Sequence, residues 1–304
     1  MMGGSQDDTS VADAGTLSLT FKYLSYLTND PKYWNAVIRI SKKLEPKILK
    51  EGILGMDLNV KSGSVSGPPT IGAGADSFYE YIAKQYVQTQ KVENGFPPQW
   101  KAYMKKVRES LKISSKNQFM FVDGGSGSTH HLDCFLGGTI ALYAIDGAKN
   151  AHSHNLTIAQ LHDIDLAEEL TRGCYELYHQ TETHLSPETV RWEIHPGESA
   201  ALEYHKTPSS DNTKTSYSTY EGTVSRLLSI KNITSGDFQI QDPQYHHRPE
   251  TLESIFYLYR ITGKQQYRDM GWKIFLAYQK HLKVDGSGYA GLVRLSLIFV
   301  EKRK

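Results

Sequence analysis

Phe21-Lys22-Tyr23-Leu24-Ser25-Tyr26-Leu27-Thr28-Asn29-Asp30-Pro31-Lys32-Tyr33-Trp34 and Phe256-Tyr257-Leu258-Tyr259-Arg260-Ile261-Thr262-Gly263-Lys264-Gln265-Gln266-Tyr267-Arg268 are two versions of one pattern. Each reads as an amphipathic helix that ends in a Thr-Asn or Thr-Gly turn, followed by a Tyr that opens a second helix. The second helices, over residues 33–44 and 267–282, carry apolar side chains at i, i+3, i+4 and i+7. Asn29 and Gly263 fall where the chain must turn left-handed to leave a helix, a conformation both residues adopt readily. The unit is an αα-hairpin, and it occurs near both ends of the sequence.

Between the two hairpins, helical spacing recurs over residues 77–90, 98–111, 158–179 and, behind a Ser-Pro pair, 187–190. Gln118-Phe119-Met120-Phe121-Val122 reads as a strand running into the Gly-rich loop Asp123-Gly124-Gly125-Ser126-Gly127. Phe238-Gln239-Ile240 reads as another short extended piece. Helical hairpins separated by short strands predict a mainly α fold of the α/α-toroid kind, with no bundle or sandwich. No low-complexity linker divides the 304 residues, so the sequence reads as a single domain.

Composition narrows the function. Thirty-four Lys and Arg against 33 Asp and Glu leave a formal charge of +1, without the basic excess of a nucleic-acid binder. No run of about 18 apolar residues exists, so no transmembrane segment is predicted. The opening residues, Met1-Met2-Gly3-Gly4-Ser5-Gln6-Asp7-Asp8, have no apolar core and do not read as a signal peptide. Asn155-Leu156-Thr157 and Asn232-Ile233-Thr234 are N-glycosylation tripeptides, a number that chance also produces. Two cysteines, Cys134 and Cys174, are compatible with one disulfide or with two buried thiols. The 19 Tyr suit sugar binding, although packing at helix interfaces is the commoner use of any one of them.

Four acidic clusters stand beside aromatic residues. In Gly72-Ala73-Gly74-Ala75-Asp76-Ser77-Phe78-Tyr79-Glu80-Tyr81, Asp76 and Glu80 share a helix face at i, i+4, and the ordinary use of Asp76 is an N-cap. In Leu185-Ser186-Pro187-Glu188 the pattern predicts Ser186 as N-cap and Glu188 in a first helical turn, where a carboxylate favours the helix dipole. In His247-Arg248-Pro249-Glu250-Thr251-Leu252-Glu253, Glu250 and Glu253 share a face and Arg248 can pair with either. Tyr220-Glu221-Gly222 is the weakest. Clustered carboxylates with Arg and aromatics suit inverting sugar hydrolysis, in which one acid protonates the leaving oxygen and one base activates water, roughly 6.5–9.5 Å apart. The His130-His131 and His246-His247 pairs do not read as zinc, because adjacent His side chains diverge and no third ligand follows at standard spacing. No phosphate-cradling glycine loop and no nucleophile-elbow serine is present.

Taken together, these segments resemble the class I α-1,2-mannosidases, glycoside hydrolase family 47. The resemblance rests on Ala12-Asp13-Ala14-Gly15-Thr16-Leu17, Ala75-Asp76-Ser77-Phe78-Tyr79-Glu80-Tyr81, His131-Leu132-Asp133-Cys134-Phe135, Leu185-Ser186-Pro187-Glu188, Arg248-Pro249-Glu250-Thr251-Leu252-Glu253 with Phe256 to Gly263 after it, and Gly288-Tyr289-Ala290-Gly291. They occur in the family's order over about residues 12–292. The resemblance implies an (α/α)7 barrel that removes α-1,2-linked mannose from high-mannose N-glycans by inversion. It also implies a calcium ion that orients sugar hydroxyls, and an ER, Golgi or secreted setting. It implies Glu250 as catalytic base, Asp76 as a carboxylate acting as acid through water, and Glu80, Glu188, Arg248 and Glu253 as sugar-pocket residues. It further implies that all six converge on one cavity and that Cys134 pairs with Cys174. At Gly74, members that remove one specific mannose carry Arg, so Gly implies little branch preference.

The family's N-terminal segment with its Glu general acid, and its late Thr-Glu pair whose Thr binds calcium, have no counterpart in the 304 residues. In their place, residues 292–304 form an atypical tail. The expectation is therefore an α-1,2-mannosidase toroid truncated at both ends that lacks a tight calcium site, with the turnover of the fragment left open. A catalytically silent mannose-glycan-binding protein of the ER-degradation-factor type is the alternative reading, and an unrelated glucan-acting toroid is a third.

Overall fold

The structure, a computed structural model, describes residues 8–125, 127–145, 150–152, 155–194, 213–217, 236–286 and 288–295. The second glycosylation tripeptide, the Glu221 cluster and the tail beyond residue 295 lie outside the described residues. The chain divides into two compact units, Met1–Glu109 and Ser110–Lys304.

In the first unit, β1 (Asp8–Ser10) leads into the short α1 (Val11–Gly15), where Asp13 N–H donates to Ser10 Oγ at 2.8 Å. The N-terminal hairpin follows as α2 (Ser18–Thr28) and α3 (Lys32–Glu51). Asn29 lies between them at φ 54° and ψ 27°, the left-handed cap that the sequence predicts. The hairpin is held from inside by Lys22, which is buried, ion-paired to Glu93, and 4.7 Å and 4.9 Å from the Trp34 and Phe96 ring centres. Burial pulls the Lys22 pKa down, opposed by its hydrogen bond and attraction to Glu93. A β-hairpin, β2 (Leu54–Asn59) and β3 (Val65–Thr70), joins β1 in a sheet of order β1-β2-β3. A second helical pair follows, α4 (Asp76–Gln88) and α5 (Phe96–Glu109). The buried Tyr79 packs α4 onto the β-hairpin, accepting from Leu54 N–H at 2.7 Å and donating to Thr70 O at 3.0 Å.

In the second unit, β4 (Leu111–Ile113) pairs with β5 (Met120–Val122), the strand expected before the Gly-rich loop. After β6 (Ser128–His130), a single 3-10 turn (His131–Cys134) opens α6 (Phe135–Ala144). Then come β7 (Leu156–Thr157), α7 (Ile158–His179), β8 (Thr189–Trp192), β9 (Lys214–Thr215) and β10 (Phe238–Asp242), and last the C-terminal hairpin of α8 (Glu250–Thr262) and α9 (Gln265–His281). Thr157 caps α7 in a reciprocal box with Gln160. Gly263 ends α8 at φ 72°.

One expected element is different. Residues 187–190 do not open a helix: Ser186 Oγ donates to the Pro187 carbonyl, and Thr189–Trp192 is a strand pairing with both β6 and β10. The β-branched Thr189 and Val190, followed by Trp192, pack well on a pleated surface. That outweighs the Ser-Pro-Glu pattern, which resembles a helix start.

Phe119, Phe121, Cys134, Leu177, Val190 and Trp192 form a buried core, with the Phe121 and Trp192 rings stacked 5.1 Å apart. Cys134 and Cys174 are disulfide-bonded, their Cα atoms 5.8 Å apart, linking the start of α6 to α7. The cross-link joins residues 40 apart. In the chain-entropy description, closing a loop of that size contributes about 4 kcal/mol. Cys134→Ser is expected to lose most of that stability, read as a lowered urea midpoint that added thiol does not lower further.

Candidate active site

Glu188 occupies the entry to β8, not a helix terminus. Its backbone is fixed on both sides, N–H donating to Asp242 O at 3.0 Å and C=O accepting from His131 N–H at 2.9 Å. Its side chain is buried, so the carboxylate requires charged or hydrogen-bonding partners. Arg248 supplies them, with Nε donating to both carboxylate oxygens at 2.7 Å and Nη2 making a further ion pair with Oε1. His130 Nε2 lies 3.1 Å from the same Oε1. Burial alone would raise the Glu188 pKa, but the hydrogen bonds and charges of His130 and Arg248 hold it at about 2. Burial would lower the His130 pKa, but Glu188 and Asp133 raise it against the opposing charge of Arg248.

Arg248 follows His247, whose φ of 57° is uncommon outside glycine. The His247 ring packs against Tyr245 and Tyr278, at 5.7 Å and 5.5 Å between ring centres. Two residues past Arg248, Glu250 opens α8, and Glu253 lies on the same helix face. Glu250 Oε2 is shielded from solvent and has no hydrogen-bond partner among the described residues; its side chain as a whole is 18% exposed. The atom nearest in charge terms is Nδ1 of the buried His131, 3.4 Å away and too poorly aligned for a hydrogen bond, so it too is unpartnered. On its other side, His131 Nε2 lies 2.8 Å from Tyr178 OH and 3.2 Å from Thr251 Oγ1.

Glu188, Arg248, His130, His131 and Glu250 therefore form one charged assembly on the second unit. The sequence reading considered the two histidines only as an unsuitable zinc pair and as part of a motif. The missed signal is that β6 ends at His130: one side chain turns toward Glu188 and the next toward α8.

In the first unit, Asp76 is the first residue of α4, with Ala75 at the N-cap, so the ordinary N-cap reading does not hold. Its Oδ1 accepts from Ser77 N–H at 2.8 Å. Glu80 is buried one turn on and ion-paired to Lys84. Gly74 has φ +88°, and a Cβ there would lie 2.7 Å from Met56 Cβ. The backbone therefore demands glycine at this position, so an Arg cannot be installed there without strain.

Among the described residues, no group of three or more His, Cys, Asp or Glu side chains is placed to hold a metal ion. No helix among them is long and apolar enough to cross a membrane.

The fold is one of helical hairpins with short strands between them. It matches the solved α-1,2-mannosidase from Trichoderma reesei with a TM-score of 0.71 at 23% identity, over 96% of this chain and 56% of that one. The chain belongs to glycosyl hydrolase family 47, whose family profile matches residues 2–296. The human endoplasmic reticulum mannosyl-oligosaccharide 1,2-alpha-mannosidase is 30% identical over 296 residues, covering 94% of this chain and 36% of the human protein. The Candida albicans mannosyl-oligosaccharide 1,2-alpha-mannosidase is 33% identical over 295 residues, covering 92% and 46%. The chain thus spans less than half the length of these two relatives.

Two measurements check the site. The His130 pKa is raised, so its contribution to stability is fully present below the ordinary value of 6.5 and is lost as pH rises through the folded value. The Glu188 pKa is depressed, so its contribution is present above the ordinary 4.5 and lost only as pH falls toward about 2. The assembly is therefore most stabilising between those two ordinary values. Glu188→Gln should abolish that advantage in urea titrations run across pH, and should bring the His130 NMR titration down in pH. Separately, Gly74→Arg should lower stability by more than about 1 kcal/mol, the scale of a left-handed non-glycine residue, seen as an earlier thermal transition.

Proposed function

We propose that this chain hydrolyses α-1,2-linked mannose of high-mannose N-glycans with inversion at the anomeric carbon. The observation that carries the reading is Glu250: a carboxylate with one shielded, unpartnered oxygen, beside the Glu188–Arg248 pair, in a chain matched along nearly all its length by family 47. Glu188 is held ionised and is already paired, which suits it to receiving sugar hydroxyls and not to proton transfer. Glu250 is free of such pairing and serves as the base. It takes a proton from the water that attacks the anomeric carbon, while the bond to the leaving oxygen breaks.

The family resemblance implies Asp76 as the acid, returning a proton to the leaving oxygen through a water, and Glu80, Arg248 and Glu253 as sugar-binding residues. The mannosidase activity of the human and Candida relatives favours an enzyme over a silent glycan-binding protein. The endoplasmic reticulum setting of the human relative and the disulfide support a compartment in the secretory pathway.

The test is a time course of the full chain on a nine-mannose glycan, with the released sugar followed by NMR. Wild-type chain should release β-mannose first. Glu250→Gln and Asp76→Asn should each lower kcat by roughly 10²–10⁴-fold, the usual scale for removing a general acid or base. Release of α-mannose first, or no release at all by the wild-type chain, would overturn the proposal.

A further inference from the structure

Behind the Glu250–His131 pair lies a set of tyrosine hydroxyls that the proposed reaction does not use. Tyr178, on α7, is fully buried, and its hydroxyl is 2.8 Å from His131 Nε2. Close by, Tyr245 donates its own hydroxyl to that of Tyr278 on α9. The Tyr178 and Tyr245 rings meet edge to face, 6.2 Å apart. Packing alone calls for apolar rings, and phenylalanine would fill the same volume. Two buried tyrosines, Tyr178 and Tyr245, beside the half-buried Tyr278 need a reason, because a buried hydroxyl must find a partner.

The orientation of His131 gives that reason. A neutral imidazole carries its hydrogen on one nitrogen and accepts on the other. If Nδ1 were bare, its lone pair would point at the carboxylate oxygen 3.4 Å away and repel it. If Nδ1 carries the hydrogen, the same contact becomes attractive, and a small rotation of Glu250 completes a hydrogen bond. That state requires Nε2 to accept. The Tyr178 hydroxyl at 2.8 Å is the better placed donor of its two neighbours, since Thr251 Oγ1 is 3.2 Å away. We infer that Tyr178 is a positioning residue: by donating its buried hydroxyl to His131 Nε2, it fixes the tautomer that presents Nδ1–H to Glu250.

The catalytic part of this inference rests on Glu250 acting as base, whereas the tautomer itself does not. Long-range proton–nitrogen NMR of the 15N-labelled full chain at neutral pH reads the His131 tautomer directly. Wild type should show Nδ1–H, and Tyr178→Phe should shift His131 toward Nε2–H or a mixture. Tyr245→Phe, which keeps the Tyr178 hydroxyl, should leave Nδ1–H dominant and serves as the packing control. On a mannose glycan, Tyr178→Phe should lower kcat by about tenfold, the scale of one hydrogen bond's orientation, with KM nearly unchanged. An Nε2–H tautomer in the wild-type chain overturns the inference even if the variant does not fold, and so does an unchanged tautomer in Tyr178→Phe. A tautomer that behaves as expected in a chain without turnover sinks the reaction and leaves the positioning role standing.

Discussion

The charged assembly of the second unit depends on how closely α6 approaches its neighbours. At Gly137, a Cβ would sit 2.2 Å from Thr171 Oγ1 and 2.9 Å from the Ala167 carbonyl of α7. At Gly138, it would sit 2.9 Å from the Ser254 Cα of α8. Neither contact leaves room for any side chain, so α6 lies between two helices at backbone distance. Ser254 fills the gap that remains, donating to Cys134 O at 2.6 Å and accepting from Gly138 N–H at 2.8 Å. The residues leading into α6 include His130, at the end of β6, and His131, in the 3-10 turn, while Arg248 just precedes α8 and Glu250 opens it. Close packing of the helices therefore sets the distance between an imidazole and a carboxylate several residues away. A side chain at Gly138 would push α8 away from α6, and Glu250 at the start of α8 would have to shift relative to His131.

The sheet of β10, β8 and β6 does for Glu188 what the helices do for Glu250. Asp242 of β10 and His131, just past the end of β6, hold the Glu188 backbone between them. The two carboxylates then part company in electrostatics. Glu188 is saturated by Arg248 and His130, while Glu250 keeps an unpartnered oxygen. Two acids in one neighbourhood with different degrees of pairing are how a site separates the group that binds from the group that reacts. The left-handed His247 belongs to the same arrangement, because the turn it makes brings Arg248 back toward β8 while α8 departs in its own direction.

The helical hairpins were legible from their punctuation. Asn29 and Gly263 take the left-handed conformation their chemistry favours, and residues 158–179 show both a helical period and a capping box. The α6 helix was illegible because it is buried on nearly every side: an apolar segment without a polar face carries no period. The β8 strand was misread because Ser-Pro-Glu is common both before a helix and before a strand, and only its two pairing partners, far away in sequence, decide between them. Arg248 beside Glu250 suggested a local ion pair, yet Arg248 reaches back 60 residues to Glu188. Tyr178 and Tyr245 were hidden for a simpler reason. Tyrosine is a good packing residue, and one sequence cannot tell a ring that fills space from a hydroxyl that directs a histidine.

The Cys134–Cys174 bond also changes what breakage means for this chain. It encloses α6 and most of α7 in one covalent ring, with the glycosylation tripeptide at Asn155 inside it. A protease that cut one peptide bond within the ring would leave a single particle, heavier by one water. Denaturing electrophoresis without reductant would still show one band. The cut would appear only once the sulfurs were reduced, so damage to this segment stays silent until the molecule meets a reducing compartment.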